Sequence, residues 1–235
     1  ASNFNQPLNN WDVSNVSSIN EFLNGASNFN QPLDNWDVSN VNDMSFMFAS
    51  SNFNQNINNW DISSLLNARQ IFKNTPFNQP LDNWDVSNVA NMYGMFEKSN
   101  FNQNINNWNM NTQSIRRMFL NSDFNQPLNN WNTSNLPTMR ELFQNTPFNQ
   151  DISMWDTSNI SNMSEMFSGN SDFNQDISSW DVFNVSDMSE MFRNASSFNQ
   201  DLSGWCVQQI SSAPFAFDYN ANNWTLPKPN WGAPC

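Results

Sequence analysis

The triplet Phe-Asn-Gln occurs nine times, with its Phe at Phe4, Phe29, Phe53, Phe77, Phe101, Phe124, Phe148, Phe173 and Phe198. A Trp stands seven residues after each: Trp11, Trp36, Trp60, Trp84, Trp108, Trp131, Trp155, Trp180 and Trp205. Successive Phe are 23–25 residues apart, and the small length changes fall between a Trp and the next Phe. A unit of this size cannot bury its own apolar face, so it must stack on its neighbours, and equivalent residues then form columns along the stack. The period therefore predicts one elongated array over residues 1–205 rather than one or two globular domains.

Within a unit, apolar residues fall at two spacings. In the copy that begins at Phe173, Trp180-Asp181-Val182 alternates as a strand does. Val185, Met188, Met191 and Phe192 recur as on one face of a short helix, and Ser or Asn just before such a run supplies an N-cap. The expected coil is a short strand, a turn and a short helix, which makes an α/β solenoid of nine 23–25-residue coils. Asn5, Asn30, Asn54, Asn78, Asn102, Asn125, Asn149, Asn174 and Asn199 follow the Phe in every copy, each with a Gln after it. Amides repeated this strictly read as an internal ladder, since each donates to and accepts from the next coil; the alternative is a surface binding row.

Charge narrows the functions. The net charge is −13, and the eight Lys and Arg are too few for a phosphate-binding surface, so nucleic acid is not an expected partner. No apolar run is long enough to span a membrane. There is no His, the commonest general base and metal ligand, and with five Gly no phosphate loop, so catalysis is not expected. The strongest candidates for function are two acidic rows. Asp12, Asp37, Asp61, Asp85, Asp156 and Asp181 each follow a Trp, and Asp151, Asp176 and Asp201 follow a Gln. Stacked like charges repel, so they are expected either to accept local turn hydrogen bonds or to bind calcium or a basic partner. The only cysteines, Cys206 and Cys235, lie at one end of the chain; they read as a disulfide closing a capping segment over 206–235, and so as an oxidising, extracellular setting, with two free thiols as the alternative. Ala1 opens in the middle of a repeat, which suggests a processed form or a piece of something longer.

The units from Phe148 to Phe167 and from Phe173 to Phe192 resemble the bacterial surface-protein repeat of about 26 residues that is grouped with the BspA-like leucine-rich repeats, by the pattern Phe-Asn-Gln-Asp-Ile-Ser-x-Trp-Asp-x-Ser-Asn-x-x-x-Met-x-x-Met-Phe. Phe183 replaces the Ser of that pattern, and Asn56 and Asn104 stand where it prefers Asp. The resemblance implies a leucine-rich-repeat-like array on a cell surface, with adhesion-like binding of a protein or glycan as its function. The alternative is a structural subunit whose copies stack end to end into a filament or sheath.

Overall fold

The computed structural model describes residues 2–235; Ala1, on which the expectation of an abrupt start rests, lies outside them. In the coil that begins at Phe29, the stretch expected to be helical does not send each N–H back four residues. The N–H groups of Met44, Phe46, Phe48 and Ser50 donate forward to Asn67, Arg69, Ile71 and Lys73 of the next coil, at 2.8–3.1 Å. Those of Met47, Ala49 and Ser51 close turns on the carbonyls of Met44, Phe46 and Phe48, at 3.0 Å. The segment is a run of overlapping turns whose alternate amides tie one coil to the next.

Two left-handed residues per coil enforce this. In the same coil Phe46 has φ 57° and Ser50 φ 57°. The first position recurs as Glu21, Gln70, Gly94, Arg117, Glu141, Glu165 and Glu190, and the second as Gly25, Asn74, Lys98, Asn121, Asn145, Gly169 and Asn194. A right-handed helix cannot pass through a left-handed residue, whereas a type II turn requires one at its third position.

The expected α/β solenoid of leucine-rich-repeat-like coils, each a strand plus a helix, is therefore corrected. Among the described residues there is no helix, and strand pairing is limited to single parallel bridges such as Asp43 to Asn67 and Asn67 to Asn91. Val41, Met44, Met47 and Phe48 face inward because successive tight turns return an apolar residue every three or four positions, which imitates a helical period. The Trp-x-Val step lies between turns rather than in a strand: Trp36 N–H bonds Leu33 at 3.1 Å and Val41 N–H bonds Val38 at 2.9 Å.

The coils stack in register around aromatic columns. Phe29, Phe53 and Phe77 lie 6.2 Å apart and within 14° of parallel. Beside them, Phe48 and Phe72 form a second column at 5.8 Å, and the columns interlock, with Phe48 3.9 Å from Phe53. These rings are fully buried, each stabilising the stack by about 1.5–3 kcal/mol relative to exposure. The last segment continues the same amide pattern: Glu190, Phe192 and Asn194 donate to Phe215, Phe217 and Tyr219. There the parallel stacking stops. The Trp224 ring meets Phe198 at 86° with centroids 4.8 Å apart, Trp231 meets Phe217 at 81°, and a disulfide joins Cys206 to Cys235, whose Cα atoms are 5.4 Å apart.

Candidate functional site

The repeated amides and indoles are used inside the stack. Asn5 Oδ1 accepts the Asn30 N–H and the Gln31 side-chain amide, both at 3.1 Å. Asn30, Asn54, Asn78, Asn102, Asn125, Asn149 and Asn174 each do the same for the following coil at 2.9–3.2 Å. Asn199 ends the ladder by accepting from the N–H groups of Thr225 and Leu226. Each indole N–H from Trp36 to Trp205 donates to the Leu or Ile carbonyl of the preceding coil, at 2.9–3.1 Å. These Trp are 2–4% exposed, whereas Trp11 in the first coil is 54% exposed.

The acidic rows are exposed, and each carboxylate serves its own turn. Asp12, Asp37, Asp61, Asp85 and Asp156 accept the N–H of the Ser two residues on, at 3.0–3.1 Å. Asp181 accepts that of Phe183 at 3.0 Å. Asp151, Asp176 and Asp201 accept from Ser153, Ser178 and Ser203 at 2.9 Å. The Ser hydroxyl, then the Ser N–H, holds the carboxyls of Asp12, Asp37, Asp61, Asp85, Asp156 and Asp201 below the usual range. For Asp151 and Asp176 the N–H is the larger cause. Asn56 and Asn104 accept from Asn58 and Asn106 at 2.9 Å in the same geometry. The position thus needs an acceptor oxygen, not a charge. Among the described residues no three acidic side chains converge as a set of metal ligands would.

A different surface stands out that the repeat pattern did not single out. All five Glu and seven of the eight Lys and Arg lie 15–21 residues after the Phe of their repeat, on the overlapping turns. Here side chains differ from coil to coil, and they interlock across coils. The Glu141 carboxylate is almost buried between Arg116 at 3.2 Å, Arg117 at 3.0 Å and Arg140 at 2.8 Å. The Nε–H groups of Arg117 and Arg140 are within ion-pair range of it but are not aligned as hydrogen bonds. Glu97 takes Lys73 at 3.1 Å and the Gln70 amide at 2.8 Å, and Glu165 takes Arg140 at 3.3 Å. The Arg69 guanidinium sits over the rings of Phe46 and Tyr93, 5.3 and 5.0 Å from their centroids. The signal available in the sequence was the offset of the long charged residues from each Phe.

A family model described as "Mycoplasma protein of unknown function, DUF285" matches residues 1–76, 51–147 and 113–231, three overlapping stretches that follow the repeats. The match supports a tandem-repeat family without specifying leucine-rich repeats. No curated protein and no solved structure matches the chain.

Proposed function

As the chain belongs to this repeat family of unknown function, we propose that it is a non-enzymatic surface protein whose stacked coils hold an extended interaction face at a cell exterior. The observation that carries the reading is the division of labour among side chains. Residues repeated in every coil (the Asn ladder and the Trp column) are used to join coils, while the long side chains of the turn face vary from coil to coil and leave cations such as Arg69 and Lys98 exposed. A scaffold that is uniform inside and individual on one exposed face suits recognition of a large partner, a protein or a glycan. The disulfide supports an oxidising compartment, and among the described residues no helix is long and apolar enough to cross a membrane. The end-to-end stacking subunit is less well supported, because the perpendicular rings of Trp224 and Trp231 interrupt the parallel columns at the end a further coil would have to join.

Shaving intact cells of the native source with protease tests the proposal. Release of fragments of this chain before lysis is the expected result. Full protection until lysis would overturn the surface reading.

A further inference from the structure

The four coils that begin at Phe53, Phe77, Phe101 and Phe124 carry on their turn face six cations (Arg69, Lys73, Lys98, Arg116, Arg117 and Arg140). The carboxylates that meet them are three, Glu97, Glu141 and Glu165. The face thus holds a surplus of three positive charges in a chain whose net charge is −13. The surplus has definite places. Glu141 is shared by three guanidinium groups, so although their Nε–H groups are buried, terminal N–H donors remain unused. Arg69 and Lys98 are exposed, and no carboxylate lies within ion-pair range of either among the described residues. Arg69 is also held in position: Tyr93 lies under its guanidinium at 5.0 Å and under that of Arg116 at 5.8 Å, while the Tyr93 hydroxyl accepts from Arg117 at 3.1 Å. Guanidinium groups steadied by aromatic faces, with donors free at the rim, present the planar fork that matches a carboxylate.

We propose that this turn face is a docking site for an acidic segment of another protein. A polypeptide carrying carboxylates is favoured because Arg116, Arg117 and Arg140 already take carboxylates from neighbouring coils, at 3.0–3.3 Å. An added acidic segment extends that pattern to the unmatched cations Arg69 and Lys98. The rest of the molecule repels such a segment, so the local surplus also sets its place and orientation. The inference rests on the display reading above and names its partner class.

The test is binding of poly-L-glutamate to the intact, disulfide-bonded chain at low ionic strength, with heparin and an uncharged Gly/Ser polypeptide as comparison probes. Poly-L-glutamate should bind despite the acidic net charge and be released as salt shortens the screening length toward about 8 Å. The double variant Arg69→Ser, Lys98→Ser should bind about tenfold more weakly. Its melting temperature should fall only slightly, since neither side chain has a carboxylate partner to lose and the contact of Arg69 with the Phe46 and Tyr93 rings is worth about 0.5–1 kcal/mol at an exposed site. Arg193→Ser, two coils away on the same face, should leave binding intact. Absence of poly-L-glutamate binding, or equal binding by the double variant, would overturn the proposal. So would binding of heparin alone, which points to a sulfated glycan, or salt-sensitive dimers of the chain lost in the double variant, which point to a second copy. None of these outcomes bears on protease shaving, so the display reading fails or stands separately.

Discussion

At the scale of single residues, one side-chain oxygen per coil does much of the joining. Asn102 Oδ1 accepts from the Asn125 N–H at 2.9 Å and the Gln126 amide at 3.2 Å. Removing it leaves two part-buried donors without a partner. We expect Asn102→Ala to lower unfolding stability by about 1–3 kcal/mol, read from urea titration. The exposed Asp residues act in the same way but titrate. Their folded pKa lies below the unfolded value, so the stability they contribute is present above that value, near pH 4, and is lost as pH falls through the folded pKa. The urea midpoint should thus be level from neutral pH down to about 5 and fall below about 4. Replacing Asp12, Asp37 and Asp156 together by Asn, which already serves the same turn at Asn132, should flatten that fall. The Asn ladder had its signal in the sequence, an amide repeated nine times, and the bonds between coils decide for it over a surface binding row. The ion cluster around Glu141 was not legible there, because its members come from successive coils and only the stacking register brings them together.

The turn segment is the element in which sequence reasoning and structure part. Spacing of Val41, Met44, Met47 and Phe48 reads as helix, and tight turns produce nearly the same spacing. The second left-handed position did carry a signal. Gly25, Asn74, Asn121, Asn145, Gly169 and Asn194 are the residue types that tolerate it. The first position hid it, since Glu21, Phe46, Gln70 and Arg117 are ordinary residues held there by forward hydrogen bonds to the next coil. Such residues pay a steric penalty that glycine avoids. Lys98, exposed and at φ 56°, offers the test: Lys98→Gly should stabilise the chain by about 1 kcal/mol in urea. The reverse change, Gly169→Ala, should destabilise it, because the added methyl group meets the Asn145 side chain at φ 70°.

For the whole molecule, the repeat made stacking, column membership and the terminal pairing of Cys206 with Cys235 readable. It left the conformation within each coil open, since that depends on where alternate amides find carbonyls in a neighbour. Calcium is expected to leave the melting temperature unchanged, because the Asp rows offer one carboxylate per turn and no converging set. Reduction of the disulfide should act at one end only. Opening the 29-residue separation removes about 3–4 kcal/mol of restraint on the chain-entropy model, and amide exchange should accelerate after Trp205 while the coils around Phe101 keep their protection.

The ladder bonds described above join each coil only to its immediate neighbours, and they are the same bonds at every junction. As far as the ladders go, the coils are therefore interchangeable parts, and the array behaves like a ruler whose marks can be removed whole, with loss only of turn-face pairs such as Arg140 with Glu165. Excising residues 148–172 would bring Phe173 onto Phe124 and Asn174 onto Asn125, meeting the partners they now have in Phe148 and Asn149. Deleting a single residue between Phe148 and Trp155 would misplace a column on both sides. Length in such a molecule is free to change by recombination in whole units, and the spacing between a recognition patch and the end of the chain can be reset without inventing a new fold.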